Sequence, residues 1–239
     1  LDRSSAASDV YKRQIVHRTM ITAGLPESML AKAIEAWENA LPPYLKLAYL
    51  PNPGAVRLRL SAYEVEGESV SKEIERQFEA LRRTMQELIH KLLTERRQTL
   101  ATAESCTGGT IAARFTAMPG ASAYFLCGVV SYSNASKQTV LGVDPDTLTR
   151  YGAVSEQVAR QMAEGARRIS GADYAVATTG IAGPAGGTAE KPVGTVWIAV
   201  AGPRRTVALL KQCGSDRGQI IDRAGAFALG LLRDELNGK

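Results

Sequence analysis

Four short polar clusters hold the residue types for chemistry: Glu104-Ser105-Cys106-Thr107-Gly108-Gly109, Ser131-Tyr132-Ser133-Asn134, Thr178-Thr179-Gly180 and Gly214-Ser215-Asp216-Arg217. Each ends a run that reads as a strand, and in open α/β sheets ligands bind beyond the carboxyl ends of strands. Ser105 stands at a strand-to-helix turn. The free N–H groups of a helix start can hold an anion or stabilise an oxyanion, and the glycines permit a tight turn. A serine nucleophile needs a base. Both histidines, His17 and His90, lie in the first half of the chain, away from these clusters. Lys137, one short turn beyond the second cluster in YSNASK, is the substitute. It must be neutral to act, so its pKa must fall from ~10.4 toward ~7–8 by burial or a cationic neighbour. Tyr132 could relay a proton or hold the lysine. Cys106 is a second candidate nucleophile, because a thiolate needs less activation. Plainer readings stand beside these: Ser105 as a helix cap, Lys137 as a solvated helix lysine, Tyr132 as a half-buried strand residue.

The third cluster opens TTGIAGPAGGTAEKPVG, residues 178–194, which holds five of the 22 glycines. Such a loop can wrap a ligand through its backbone, and Thr179 can donate to a phosphate or an amide. It lacks the Gly-Lys-Ser/Thr of a phosphate-binding loop, and no helix follows directly as a dinucleotide fingerprint requires. Seventeen irregular residues between two buried strands favour function over a bare connection. Arg217 stands at a helix start, where its fork suits a phosphate, unless it is an ordinary surface arginine.

The elements that must position these groups follow from pattern. Leu30, Ile34 and Trp37 give one apolar helix face after Pro26. KLAYL (46–50) and AVRLRLSAYEV, separated by Pro51-Asn52-Pro53-Gly54, read as a hairpin whose Arg57 and Arg59 face water. Residues 68–97 read as one long helix or two joined ones, with Phe78, Leu81, Met85, Leu88 and Leu92 as its stripe. Strand and helix then alternate over 98–237. SEQVARQMAEGARRI is an amphipathic helix capped by Ser155, with Val158, Met162 and Ile169 buried; Ser215 or Asp216 caps the last helix. The fold class is α/β: a three-layer α/β/α domain over 84–239, preceded by a small α+β domain with a linker helix over 15–83.

Composition narrows the function. The chain has 239 residues with 45% hydrophobic and 22% charged, so it supports a sizeable core. A net charge of +5 favours anionic ligands, while 6% aromatic residues and no basic run argue against nucleic acid. Cys106, Cys127 and Cys213 are widely spaced, which with two histidines argues against zinc and for a reducing, cytoplasmic compartment. No apolar run approaches the ~20 residues of a membrane span. Residues 1–14, LDRSSAASDVYKRQ, begin at Leu1 and show no core face; they are expected to be foreign to the fold or a disordered tail, with the natural start missing.

AESCTGG (103–109), GVVSYSNASK (128–137), LGVDPDTLTRYGAVSE (141–156), TGIAGPAGG (179–187) and EKPVGTVWIAV (190–200) together resemble the C-terminal domain of the CinA family. Its stand-alone relatives are nicotinamide mononucleotide deamidases, also called PncC. LPPYLKLAYLPNPGAVRLRLSA (41–62) resembles the family's middle domain. The resemblance implies hydrolysis of nicotinamide mononucleotide to nicotinic acid mononucleotide and ammonia, a step of pyridine nucleotide recycling. It implies Ser105 as nucleophile, Lys137 as base and Tyr132 as helper. It further implies substrate-binding roles for Glu104, Thr107, Gly108, Gly109, Thr179, Gly180, Gly183 and Arg217. No cofactor and no metal are implied, and self-association into a homo-oligomer is. The further N-terminal domain of longer family members, with its pyrophosphatase activity, is expected to be missing, as in a truncated or internally deleted member. The rival expectation is a fragment that binds a nucleotide or a partner without turnover.

Overall fold

The computed structural model describes residues 15–23, 26–52, 55–63 and 67–238. The expectation for residues 1–14 and the Pro53-Gly54 half of the hairpin turn lie outside these. The first unit pairs β1 (Val16–Ala23), β2 (Leu45–Asn52) and β3 (Ala55–Ala62) in an antiparallel sheet of order β1-β3-β2. β3 alternates as its sequence requires, burying Val56, Leu58 and Leu60 and exposing Arg57 and Arg59. α1 (Glu27–Asn39) buries Leu30 and Ile34 against this sheet, and its Trp37 Nε1 donates to the Gln77 carbonyl at 3.1 Å. β1 was not expected. His17, Arg18 and Thr19 are all exposed and blur its alternation, so only its pairing with β3 defines it.

α2 (Gly67–Arg96) is one continuous helix that serves two cores. Val70, Ile74, Phe78 and Leu81 pack into the first unit, whereas Ile89 and Leu93 pack into the second. The expected stripe through Leu88 and Leu92 is shifted by one residue, and both are only partly buried. A stripe read at a fixed step drifts on a 3.6-residue helix, and here the second half also faces a different sheet.

The second unit runs β4 (Leu100–Glu104), α3 (Thr110–Thr116), β5 (Phe125–Val130), α4 (Asn134–Leu141), α5 (Pro145–Tyr151), α6 (Glu156–Ser170), β6 (Tyr174–Gly180), β7 (Thr195–Ala201), β8 (Thr206–Gln212) and α7 (Arg217–Leu236). The sheet order is β5-β4-β6-β7-β8, with β4 parallel to β5 and β6 and β7 antiparallel to β6 and β8. β4, β5, β6 and β8 therefore all end at one edge, and all four polar clusters lie at or just beyond those ends. Leu93, Phe115, Phe227 and Leu232 cover one sheet face; Leu148, Val158 and Met162 cover the other. This is the expected three-layer α/β/α arrangement.

The second face is built on Ala101, Ala103, Ala175, Ala177 and Ala199, small residues that let α6 lie close. Ser155 caps α6, accepting from Val158 N at 3.3 Å. Ile169, expected in the core, is 46% exposed instead. It lies in the last turn of α6, just before Gly171 (φ 68°) turns the chain toward β6, and joins neither core. α5 was not foreseen, although Asp144 as cap and Pro145 at the first position form a regular helix start.

Gly165 sets how closely α6 crosses α4. A Cβ there would lie 2.0 Å from the Leu141 carbonyl oxygen. Gly165→Ala is therefore expected to destabilise the fold by about 1–3 kcal/mol through overpacking, despite the better helix propensity of alanine. Urea unfolding of both proteins measures it.

Candidate active site

Ser105 follows β4 and is tied to the neighbouring strand by its own N–H, which donates to the Thr178 carbonyl at 3.0 Å. The turn after it is held by Glu104, which is buried and faces inward. Its Oε2 accepts from the Thr107 hydroxyl at 2.6 Å, Gly109 N at 3.0 Å and Ile111 N at 3.1 Å, and its Oε1 accepts from Ala112 N at 2.8 Å. One carboxylate thus satisfies the open N–H groups of α3 and matches the positive end of the helix.

Glu104, Gly108, Gly109 and the Thr107 hydroxyl, for which ligand contacts were expected, make contacts within this turn. The Thr107 hydroxyl meets Glu104 and, at 2.7 Å, the Thr178 hydroxyl. The Gly109 N–H belongs to Glu104 and the Gly108 N–H to the Ser105 carbonyl at 3.1 Å. None of the four lines the cleft described below. Gly108 (φ 61°) and Gly109 (φ 96°) instead supply the left-handed backbone of the turn. Among the described residues, the N–H groups of Cys106 and Thr107 donate to no other residue.

Lys137 projects from α4, whose start is capped by Ser133 accepting from Ser136 N at 3.0 Å. Its side chain runs inward and is only 1% exposed. The Nζ donates to Ser105 Oγ at 3.1 Å, to the Ser131 carbonyl at 2.7 Å and to the Tyr132 carbonyl at 3.4 Å. Among the described residues no carboxylate pairs with it, and burial pushes its pKa below the usual lysine value. The nearby Cys106 thiol is pushed up to about 12, chiefly by burial. It stays protonated at neutral pH, which argues against Cys106 as the nucleophile.

The Tyr132 phenol does not reach Lys137. The side chain is 62% exposed, and its hydroxyl accepts from Arg217 Nη2 at 3.3 Å. Tyr132 holds the lysine through its backbone carbonyl, where the sequence suggested its ring. Arg217 also donates from Nη1 to the Gly183 carbonyl at 2.7 Å. It bridges the glycine loop to the end of β5 across the mouth of a cleft of about 290 Å³. Ser105, Tyr132, Lys137, Thr179, Gly180, Gly183 and Arg217 all line that cleft, as does Cys106. Thr179 does so with its hydroxyl already committed to the Ala153 carbonyl at 2.8 Å. Gly180 allows close packing: a Cβ there would come within 2.7 Å of the Thr195 carbonyl oxygen. Ala153 and Val154 also line the cleft and were not anticipated, as does Asn134, which was named in the second polar cluster but given no role of its own. Asn134 lies between two residues already singled out, whereas Ala153 and Val154 carry no chemical signal.

Residues 82–236 match the family described as the CinA C-terminal domain, and residues 17–90 match the KH domain of damage-inducible protein CinA. The chain belongs to the CinA family. The CinA-like protein of Flavobacterium psychrophilum is 42% identical over 235 residues, covering 93% of this chain and 56% of that protein. The CinA-like protein of Chlorobium limicola is 44% identical, covering 92% and 51%. This CinA chain thus spans about half the length of the curated relatives it matches. Among solved structures, the competence/damage inducible protein CihA from Agrobacterium tumefaciens is 42% identical with a TM-score of 0.63, covering 65% of this chain and 95% of that one. A CinA superfamily protein from Klebsiella pneumoniae is 34% identical with a TM-score of 0.64, covering 66% and 99%. Among the described CinA residues, no helix is long and apolar enough to cross a membrane, and no three His, Cys, Asp or Glu side chains cluster as metal ligands.

The unpaired burial of Lys137 costs stability wherever the amine is protonated. Its folded-state pKa is lowered, so the unfolded chain binds more protons between the folded and unfolded values, and stability rises with pH across that window. Lys137→Met is expected to raise the melting temperature at neutral pH, and the gain should shrink toward pH 10. Thermal unfolding across that range checks it.

Proposed function

We propose that this chain hydrolyses the carboxamide of nicotinamide mononucleotide, giving nicotinic acid mononucleotide and ammonia. The observation that carries the reading is the 3.1 Å contact from Lys137 Nζ to Ser105 Oγ, made by a buried amine with no acidic partner. A buried lysine of lowered pKa can be neutral near pH 7, and a neutral amine is a base.

In the first half of the reaction, Lys137 Nζ takes the proton of the Ser105 hydroxyl while Oγ attacks the carboxamide carbon. The carbonyl π pair moves onto oxygen, where the Cys106 and Thr107 N–H groups stabilise it. The C–N bond then breaks, the nitrogen takes the proton from the Lys137 ammonium, and ammonia leaves an ester on Ser105. In the second half, water gives a proton to Lys137 and attacks the ester carbon. Oγ leaves, recovers its proton and frees the acid. No metal enters these steps.

The mouth of the cleft suits the nucleotide end. The Arg217 guanidinium has five N–H donors in all, two of which the protein uses, so it can also meet a phosphate. The glycine loop offers backbone groups beside it. Together they give a cleft with a nucleophile at its floor and a cation at its rim.

The test is incubation of the purified chain with nicotinamide mononucleotide, with ammonia and nicotinic acid mononucleotide both measured. Turnover is expected in the parent. Ser105→Ala and Lys137→Ala should each lose roughly three orders of magnitude or more in kcat, whereas Cys106→Ser should keep most of it. A folded parent that binds the nucleotide but releases neither product contradicts the proposal and favours a binding module. Full activity in Ser105→Ala contradicts the assigned nucleophile.

A further inference from the structure

The Tyr132 ring has no part in the steps above. The carbonyl of this residue accepts from Lys137 Nζ at 3.4 Å, whereas its hydroxyl accepts from Arg217 Nη2 at 3.3 Å. One end of Tyr132 is thus fixed beside the Ser105–Lys137 pair and the other at the cationic rim. The side chain lines the cleft yet is 62% exposed. It is an open aromatic surface running from floor to rim, and no other aromatic side chain occurs among the described residues of the lining.

The proposed substrate covers the same span. With its carboxamide at Ser105 Oγ and its phosphate at Arg217, its pyridine ring lies between the two, alongside Tyr132. That ring is a quaternary pyridinium and carries a full positive charge. Among the described residues, no acidic side chain lines the cleft to meet it, and the basic ones, Lys137 and Arg217, cannot attract it. Glu104, next to Ser105 in the chain, is occupied by the turn that starts α3. An aromatic face attracts a cation through the negative centre of its quadrupole and keeps the site free of a fixed charge. In this lining only Tyr132 offers such a face.

We propose, resting on the mononucleotide reading above, that Tyr132 is a specificity-determining residue whose ring packs on the cationic pyridinium ring of the substrate. The cleft then selects the oxidised, charged ring over its uncharged dihydropyridine form. Tyr132 touches the ring and takes no proton. Its hydroxyl serves Arg217, so the phenol oxygen and the ring face have separable roles.

The probes are nicotinamide mononucleotide and its dihydropyridine form, which share carboxamide, ribose and phosphate and differ in ring charge. Both are titrated by calorimetry into the full chain carrying Ser105→Ala, which prevents turnover. The readout is the ratio of the two dissociation constants, in which losses common to both ligands cancel. Adding Tyr132→Leu should lower the preference for the charged ring about tenfold, within the range of a desolvated cation–π contact. Adding Tyr132→Phe removes the Arg217 contact but keeps the ring, and should leave the preference within about twofold of its starting value. Tyr132→Trp should keep or raise it; if Tyr132→Leu does not fold, Tyr132→Gln replaces it. A merely structural role would weaken both ligands and leave the ratio where it was. The proposal is overturned if Tyr132→Leu leaves the ratio unchanged, or if Tyr132→Phe lowers it as far as Tyr132→Leu does. Turnover of nicotinamide mononucleotide by the parent, with a ratio indifferent to Tyr132, overturns the ring contact and leaves the activity standing. A mononucleotide that neither binds nor turns over overturns both.

Discussion

An ammonium is penalised where Lys137 ends. Its Nζ is buried, three neutral oxygens surround it, and among the described residues no carboxylate answers its charge. A protein that needed only stability would place a methionine or leucine there. The same environment that makes the lysine costly as a cation makes it available as a base. Everything else at the strand ends can be ordered by how it serves that pair. β5 brings the Ser131 and Tyr132 carbonyls that aim the amine, α4 supplies its stem, and β4 brings Ser105 to meet it.

Glu104 has the complementary task. Ser105 sits at the head of a turn with two left-handed glycines, Gly108 and Gly109. One buried carboxylate gathers a hydroxyl and three amides from the four residues Thr107, Gly109, Ile111 and Ala112. That fixes the turn and commits those amides, leaving the Cys106 and Thr107 N–H groups beside the serine. The family resemblance implied a ligand contact for this acid beside the candidate nucleophile. The geometry makes it a clamp.

Much of this was legible in the sequence because strand ends and glycine turns leave local signatures. Ser105, Lys137, Thr179 and Arg217 could be gathered into one site because β4, β5, β6 and β8 share a direction. What was not legible depends on side-chain direction or on a distant partner. Nothing local says that the Tyr132 ring turns toward Arg217 while its carbonyl meets the lysine. Nor does the pattern of β1 reveal a strand, because its exposed His17, Arg18 and Thr19 break the alternation and only pairing with β3 defines it. On α2 the stripe slipped by one residue because the helix leaves one core and enters another midway. Ile169 fits the helical period yet lies in a last turn that neither core covers.

The central claim is that Lys137 is a base rather than a cation in the folded chain. Lysines labelled with 13C at Cε report their protonation in a pH titration, and Lys137→Met identifies the resonance. The account predicts one lysine titrating well below the ~10.4 of a free side chain, with its signal absent in the variant. A Lys137 resonance that titrates at or above that value would contradict the account, because an amine charged at neutral pH cannot take the proton of Ser105.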